Sequence, residues 1–450
     1  MRTALVSRTA RMLCAGTLLF AAACDGEPTG LSGSQGELLA SVRAAALPLT
    51  GAASDYDPLM QVLDGRRFAL LGESTHGTRE FYQERARISQ RLIAEQEFAA
   101  VIVEGEWADA QRADRYVRGA GPDASAAAAL GSFNQFPLWM WRNQEFAGFI
   151  QWLRTHNAAR PAAQRVGFYG MDVYGLAESL REVARILEEV DFAAAEAAIS
   201  RYACFGSYLS PDEYGRAVAD GAESCAEPAA DQFAELHARW TAAPGDEALF
   251  HAMQNARVVM GAEQYFRTIY RGGRGWDLRD RHMTETVAAL SQHLQARGLS
   301  GRVVVWAHNS HVGDARAMFL GSGIQETLGR LMRERFGAQV GLVGFTTYSG
   351  SVIAARGWGQ AGEVREVMPA LEGSWEEVFH AAGASRFLLL TQTAALPAMP
   401  RDPPPLQRAI GVSYHPETER TSHYFRADLA NQFDAVIHID QTTALTPLAQ

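Results

Sequence analysis

Lysine is absent from this sequence, whose 41 basic residues are all arginine and stand against 51 acidic residues. The absence excludes Schiff-base catalysis by a lysine, and it excludes a P-loop, because both need the lysine amine. The formal net charge is −10, and no arginine-rich run with interleaved aromatic residues occurs. We therefore expect no nucleic-acid partner.

Cysteine is almost as scarce, with four residues in 450. Two of them, Cys14 and Cys24, lie in the N-terminal segment. Three arginines of this segment precede a short, mostly apolar stretch at 12–23. This stretch is too short to span a bilayer and is typical of a cleaved signal peptide, which we predict over residues 1–24. Because Cys24 follows three alanines, lipidation of Cys24 is the favoured processing. An ordinary signal peptide with an incidental cysteine is the alternative.

The N-terminal segment predicts export, to the periplasm or the cell envelope, as a lipoprotein that meets a membrane only through Cys24. Residues 25–38 are polar and contain Gly, Ser and Pro, which favours a flexible tether. The folded domain is then expected over 39–450. In an oxidising compartment the last two cysteines, Cys204 and Cys225, are expected to form a disulfide; two unpaired thiols are the alternative.

Short apolar runs recur along the chain, and each ends in polar or charged residues. They are rich in Val, Ile and Phe without strict alternation, which is typical of strands buried on both faces. Helix-forming stretches, such as 81–96 and 145–156, lie between them. We predict an α/β fold with a central, mostly parallel sheet flanked by helices. The segment from about 176 to 299 lacks such runs and is predicted as a helical insertion between two sheet strands. The runs are 67–73, 99–104, 166–172, 302–308, 340–346, 387–390 and 435–439.

Acidic and imidazole side chains follow four of these runs, at the point where each run ends. In open α/β sheets ligands bind outside the carboxyl ends of the strands, so we expect these side chains to meet at one edge. Chance readily places one such group at a strand end, whereas four together indicate a site. The set is Glu73 and His76, Glu104 and Glu106, Asp172, and His308 and His311.

The hexapeptide GESTHG at 72–77 is the sharpest motif, because its two glycines bracket a turn from strand to helix. A carboxylate beside a histidine fixes its tautomer and strengthens it as a base. We therefore predict His76 as the general base and Glu73 as the residue that orients it. Ser74 as a nucleophile is the alternative, which is disfavoured because GESTHG is not the G-x-S-x-G elbow.

Two arginines are predicted to face the same cleft. Arg85 falls on the apolar face of its helix, where an arginine needs a partner, and Glu73 or Glu104 is the expected one. A snorkelling surface arginine is the alternative. Arg279 opens a later helix and either contacts substrate or locks that helix to the sheet. We predict a substrate-binding set of Glu106, Asp172, Arg279 and Asp280.

The histidines at 308 and 311 are suited to polarise a substrate carbonyl or to stabilise an oxyanion. A divalent metal, zinc or manganese, is the alternative use of the same groups, because these ions accept imidazole and carboxylate ligands. The sequence has no H-E-x-x-H motif, so we expect no cofactor while leaving a metal open. The metal ligands would be drawn from Glu73, His76, Glu104, His308 and His311.

Six separated motifs resemble those of the erythromycin esterase family: GESTHGTREF, VIVEGE, WMWRNQEF, GMDVYG, WDLRDRHM and WAHNSHV. The resemblance extends over 39–450. It implies that His76 activates water against an ester carbonyl, with support from Glu73, Arg85 and Glu104. It also implies that His308 and His311 are site histidines and that the site is generally independent of metal.

Family members include macrolide esterases that open the lactone ring and confer antibiotic resistance, and many proteins of unknown substrate. This chain departs from the macrolide-resistance members, which are cytoplasmic, in its predicted export. We expect a hydrolase of a carboxylic ester or macrocyclic lactone, such as a macrolide, with a small-molecule substrate. The alternatives are a metal-dependent hydrolase that uses the same residues and a non-catalytic, lipid-anchored envelope binding protein.

Overall fold

The computed structural model describes residues 33–319, 326–392, 394 and 403–448. The predicted signal peptide and Cys24 lie outside the described residues. The strands are β1 (Leu47–Pro48), β2 (Phe68–Leu71), β3 (Ala100–Glu106), β4 (Gly167–Asp172), β5 (Val303–Trp306), β6 (Met318–Phe319), β7 (Val340–Ala354), β8 (Glu363–Val367), β9 (Arg386–Leu390), β10 (Leu406–Arg408), β11 (Tyr424–Ala427) and β12 (Ala435–Thr442).

Helices surround the strands on both sides. They are α1 (Gly33–Ala45), α2 (Asp57–Leu63), α3 (Arg79–Gln96), α4 (Trp107–Val117), α5 (Ala126–Ala129), α6 (Gln144–Ala158), α7 (Leu176–Val190), α8 (Phe192–Tyr202), α9 (Pro211–Ala219), α10 (Ala226–Ala242), α11 (Glu247–Tyr270), α12 (Trp276–Ala296), α13 (Asn309–Val312), α14 (Leu328–Phe336), α15 (Trp375–Ala381), α16 (Glu419–Ser422) and α17 (Leu429–Gln432).

A mostly parallel sheet forms the centre, with strand order β1-β9-β12-β7-β2-β5-β3-β4 in the described residues. The neighbours from β12 to β4 pair in parallel, whereas β9 pairs antiparallel with β12 and with β1, and β8 with β7. The predicted α/β fold is confirmed, and each predicted apolar run holds a strand of this sheet. β10, β11 and β6 make a second, small antiparallel sheet.

The apolar runs lack alternation because both faces of the sheet are covered. Successive side chains of a strand point to opposite faces, so Phe68 and Leu70 join one hydrophobic cluster while Ala69 and Leu71 join the other. All four residues are completely buried. Continuous burial of this kind fixes the strand register, and with it the positions of the polar residues that follow each strand.

The helical insertion is confirmed, since α7 to α12 lie between β4 and β5. Cys204 and Cys225 are joined as a disulfide within it, with Cα atoms 6.0 Å apart. The last insertion helix, α12, contacts β4. The first turn of α12 therefore reaches the carboxyl edge of the sheet, where the polar strand ends lie.

Three features of the fold were not predicted. The tether expected over 25–38 overlaps α1, because α1 begins at Gly33 and buries Leu38 in the larger hydrophobic cluster. β7 continues past the predicted run to Ala354, since its second half pairs with β8 although its sequence turns polar. The strands β1, β6, β8, β10 and β11 are too short or too polar to give a periodic signal.

In the described part of the chain, no helix has the length and apolar character to cross a membrane.

Candidate active site

The four polar strand ends lie side by side because β2, β5, β3 and β4 are neighbours in the sheet. Glu73 and His76 follow β2, His308 and His311 follow β5, and Asp172 ends β4. The two glutamates of β3 complete the set. Parallel strands bring their carboxyl ends to the same edge, so the sheet assembles the predicted residues into one buried polar centre.

His76 is held by Glu73 at the first of these strand ends. Its Nδ1 lies 2.9 Å from Glu73 Oε1, and Arg85 donates from Nη2 to Glu73 Oε2 over 2.7 Å. Arg85 is completely buried, and its guanidinium stacks over the rings of Tyr82 and Trp306 at 4.4 and 4.7 Å. The snorkelling alternative for Arg85 is therefore wrong. Because a carboxylate only accepts, we assign the His76 proton to Nδ1, which leaves Nε2 with a free lone pair.

The turn that carries Glu73 and His76 is fixed by its glycines. A Cβ at Gly72 would clash with the Asn309 side chain, and a Cβ at Gly77 would clash with the backbone of Ile353. The Gly77 carbonyl accepts from the N–H groups of Ile353 and Leu445, at 3.1 and 3.0 Å. Close approach by neighbouring backbone thus requires glycine at both ends of the turn.

Ser74 gives no support to the nucleophile alternative. Its Oγ is buried without a hydrogen-bond partner among the described residues, and its carbonyl accepts from the Ile410 N–H over 2.8 Å. A serine nucleophile needs a base within hydrogen-bond reach to take its proton. The role that the contacts show is a backbone link between the turn and the segment around Ile410.

His308 is the second imidazole of the centre, with its ring centroid 4.8 Å from that of His76. The Ser310 N–H donates to His308 Nδ1 over 3.2 Å, so we assign the proton to Nε2. This Nε2 is buried and has no partner among the described residues. Burial holds the pKa of His308 well below its usual value, although Glu104 and the Ser74 carbonyl act in the opposite direction. His308 is therefore a neutral donor near the free lone pair of His76.

Arg279 joins the insertion helix α12 to three other parts of the site. It donates from Nε and Nη2 to the two oxygens of Asp172 over 2.7 and 2.6 Å, and from Nη2 to Glu104 Oε1 over 2.7 Å. Its Nη1 lies 2.8 Å from His311 Nε2. These contacts lock the helix to the sheet, and contact of Arg279 with substrate stays a prediction.

Glu104 links Arg279 to His308, since its second oxygen accepts the His308 backbone N–H over 2.8 Å. Burial alone raises the pKa of the Glu104 carboxyl. The protonated forms of His311 and His76, with the Arg279 guanidinium and the His308 N–H, outweigh burial and hold that pKa far below its usual value; with neutral imidazoles, Arg279 and the N–H act alone. Glu104 is consequently a fixed carboxylate in this centre.

Asp280 was predicted to bind substrate; its contacts in the structure are with the protein, and substrate binding by it stays a prediction. It is completely buried behind His311, whose Nδ1 lies 3.0 and 2.9 Å from its two oxygens. It also accepts the Leu328 N–H over 2.7 Å. Successive residues of a helix point about 100° apart, so Asp280 reaches Nδ1 of His311 while Arg279 reaches Nε2.

Glu106 and Asp172 are also engaged by the protein. Glu106 accepts the backbone N–H groups of Tyr174 and Gly175, at 3.2 and 2.6 Å, which anchors the turn after β4. Burial, and then the charges of Asp172 and Asp109, raise the pKa of Glu106 well above its usual value. The contacts of these two acids are thus structural, and substrate binding by them stays a prediction.

Asp109, near the start of α4, is a buried acid close to Glu106, and the effect of its charge on stability can be tested. Burial, with the charge of Glu178 added, raises the pKa of Asp109 from 3.8 to about 7. A folded-state pKa above the unfolded one gives stability that is present below about pH 4 and lost as the pH rises through about 7. We expect Asp109→Asn, which does not titrate, to be more stable than wild type at pH 8 by up to about 4 kcal/mol. Urea denaturation at pH 4.5 and pH 8 measures this, because the advantage should shrink at pH 4.5. An equal difference at both pH values would contradict it.

The predicted metal ligands do not gather around one point. Within the described ranges, the one group of three whose donor atoms lie within 4.8 Å of one another is Asp114, Glu247 and His251. Arg118 pairs with both acids of that group, at 2.8 and 3.4 Å, and Arg297 pairs with Glu247 at 3.2 Å. The group is therefore part of an ion-pair network.

Two aromatic residues of the site, Trp276 and Tyr174, were not predicted from the sequence. The indole of Trp276 stacks on the His311 ring at 4.3 Å with an interplanar angle of 8°. The Tyr174 ring lies 5.2 Å from the guanidinium carbon of Arg279. The spacing in WDLRDRHM would have found Trp276, because residues three apart share a helix face. No pattern in the sequence predicts the contact of Tyr174.

The model of the erythromycin esterase family matches residues 93–442. The chain belongs to the erythromycin esterase family. The match begins after the turn that carries Glu73 and His76, so the case for these two residues rests on their geometry.

The relatives are distant but cover most of the chain. Erythromycin esterase type II of Escherichia coli is 21% identical over an alignment of 421 residues, which covers 86% of this chain and 93% of that protein. Family membership at this distance supports a hydrolase that acts on esters and a small-molecule substrate.

Three solved structures share the fold at 17–18% identity. A succinoglycan biosynthesis protein has a TM-score of 0.73, and a Bacillus cereus protein has one of 0.76; each covers 92% of this chain and 99% of its own. A mutant of the erythromycin esterase EreC, in its open conformation, has a TM-score of 0.63 over 86% of this chain and 93% of that one.

Proposed function

We propose that this protein hydrolyses a carboxylic ester or a macrocyclic lactone with water activated by His76. One observation carries the proposal: the rings of His76 and His308 lie 4.8 Å apart, and the tautomers assigned above leave a lone pair on His76 Nε2 and an N–H on the buried His308 Nε2. A base and a neutral donor on neighbouring rings are what addition of water to a carbonyl group requires. The finer parts of the proposal are the macrolide as substrate and the roles of single histidines.

In the proposed reaction, His76 Nε2 takes one proton from water while the water oxygen bonds to the carbonyl carbon. The carbonyl oxygen becomes an oxyanion, which accepts a hydrogen bond from His308 Nε2–H. When the tetrahedral intermediate collapses, the bond to the alcohol oxygen breaks. The departing alkoxide takes the proton back from His76, which restores the neutral imidazole. Glu73 keeps the Nδ1 proton in place throughout, so no covalent intermediate with the protein forms.

The oxygens of Glu73 and Glu104 already accept hydrogen bonds from protein groups, which favours hydrolysis without a metal over a metal-dependent reaction. Glu73 holds His76 and Arg85 on its two oxygens, and Glu104 holds Arg279 and the His308 N–H. A divalent cation would have to displace these donors. If a metal acts here, its ligands would come from the same Glu73, His76, Glu104, His308 and His311.

The proposal includes the setting of the enzyme. The sequence of the N-terminus supports an exported lipoprotein anchored at Cys24, in the periplasm or the cell envelope. A macrolide antibiotic is one substrate to test, and an ester or lactone met outside the cytoplasm is the wider class.

A substrate panel tests the proposal. Purified full-length mature protein is assayed against aryl and alkyl esters of increasing acyl length and against macrocyclic lactones, including 14-membered macrolides. We expect turnover of at least one class, and no loss of it after treatment with a strong chelator. Loss that returns with zinc or manganese would support the metal-dependent alternative. Binding of an ester or lactone without turnover would support the envelope binding protein instead.

A further inference from the structure

We infer that His311 is a positioning residue whose Nε2 accepts a hydrogen bond from Arg279, and that Asp280 and Trp276 hold the ring in the orientation that this contact needs. The inference goes beyond the proposed function, in which His311 has no step, and it uses that function only for its kinetic readout. It replaces the expectation that His311 polarises the substrate.

The contact with Arg279 decides the tautomer of His311. Arginine carries five N–H donors and no acceptor, so a nitrogen 2.8 Å from Arg279 Nη1 must offer its lone pair. The same His311 Nε2 lies 3.5 Å from Glu104 Oε1, which is longer than a charge-assisted hydrogen bond. Both atoms accept from the guanidinium between them. A proton on His311 Nε2 would point at an Arg279 N–H and break this arrangement.

The proton of His311 therefore lies on Nδ1, which faces Asp280 at 2.9 and 3.0 Å. Burial raises the pKa of Asp280, while His311 and Arg279 act in the opposite direction. A protonated Asp280 would donate to Nδ1 and force the His311 proton onto Nε2, against Arg279. The Arg279 contact excludes that state, so Asp280 acts as an accepting carboxylate.

Trp276, Arg279 and Asp280 are residues i, i+3 and i+4 of α12, and together they surround one imidazole. Trp276 covers the ring face, Arg279 takes Nε2, and Asp280 takes Nδ1. Residues at this spacing share a helix face, so the first turns of α12 form a clamp on His311. We call these three residues the α12 clamp.

The α12 clamp reaches the proposed oxyanion donor through two further contacts. Arg279, once held by His311, donates to Glu104 Oε1, and Glu104 Oε2 accepts the backbone N–H of His308. If His311 carried its proton on Nε2, Arg279 would lose the acceptor for its Nη1. The guanidinium would then be held less firmly, and so would Glu104, to which it donates. His308 would then lose the hydrogen bond that fixes its backbone, and its Nε2–H would no longer be held in one orientation.

Two substitutions of His311 distinguish its role as an acceptor from Arg279 from its role as a donor to Asp280. In His311→Gln the side-chain oxygen can take the place of Nε2 and accept from Arg279. In His311→Asn the amide N–H can take the place of Nδ1 and donate to Asp280, but Arg279 loses its acceptor. We expect the Gln variant to keep kcat/KM within about tenfold of wild type and the Asn variant to lose about a hundredfold, mainly in kcat. If His311 donated a proton or a hydrogen bond to substrate, both variants would fall together, and that outcome would overturn the inference.

Folding and protonation are checked separately. If the unpaired Asp280 unfolds the Gln variant, the Asp280→Asn/His311→Gln double variant removes the charge and keeps the acceptor. Nitrogen-15 NMR of histidine-labelled protein, with His311 assigned from its absence in the variant, reports the tautomer between pH 6 and 9. An unprotonated Nε2 and a protonated Nδ1 are expected, and a protonated Nε2 would overturn the inference. This measurement needs no turnover, so it stands even if the proposed hydrolase activity fails.

Discussion

His76→Ala is expected to lower kcat/KM for ester or lactone hydrolysis by about 10²–10⁴-fold, because the proposed reaction loses the group that takes the proton from water. Removal of the imidazole leaves Glu73 and Arg85 paired and the His308 donor in place. The loss should therefore fall on kcat more than on KM. Initial rates with the substrate identified in the panel measure it.

A surface histidine provides the control for this result. His380 on α15 is about half exposed and pairs with Asp440 over 2.7 Å, outside the four strand ends. His380→Ala should keep the wild-type rate. Turnover by a folded His76→Ala variant at close to the wild-type rate would exclude His76 as the base, and the proposed mechanism with it.

Arg85→Met is expected to cost about 3–5 kcal/mol of stability, since it leaves the carboxylate of Glu73 buried without its charged partner. Both side chains of this ion pair are essentially inaccessible to solvent. Activity should fall as well, because Glu73 also orients His76. Urea denaturation measures the change in the free energy of unfolding.

The double variant Glu73→Gln/Arg85→Met separates charge from packing. It removes both charges, so it should regain much of the lost stability while hydrolysis remains impaired. Arg91→Met on the same helix is the matched control. Arg91 pairs with Asp57 and Glu95, whose side chains are about half exposed, and its loss should cost less than about 1 kcal/mol. A double variant no more stable than Arg85→Met would show that packing of Arg85 on Tyr82 and Trp306 dominates.

The strands that position the site could be predicted because their signal is local. A strand covered on both faces must be apolar along its length, so the run at 67–73 and the run at 302–308 predict β2 and β5 directly. The partner of Arg85 was also predictable, because a charge on an apolar helix face requires an opposite charge nearby. Short, polar strands such as β6 and β10 gave no such signal, since pairing across long sequence separations forms them.

The roles of the other polar residues depend on contacts that the sequence does not encode locally. Asp280 and Arg279 are adjacent in the chain, yet one lies behind His311 and the other binds Asp172 and Glu104. His308 and His311 looked interchangeable as donors. Their different neighbours, the Ser310 N–H for one and Arg279 for the other, give them opposite tautomers.

The GESTHG turn and the four polar strand ends were determined by the sequence alone, because apolar runs, glycine and residue order act over a few neighbouring positions. They predicted the α/β sheet, the edge at which the site lies, and the pairing of Glu73 with His76. The proton on each histidine, the locking of α12 by Arg279 and the burial of Asp280 were decided only by tertiary structure. These features arise where residues far apart in the chain, such as Glu104 and Arg279, meet in a buried space and must satisfy one another's hydrogen bonds.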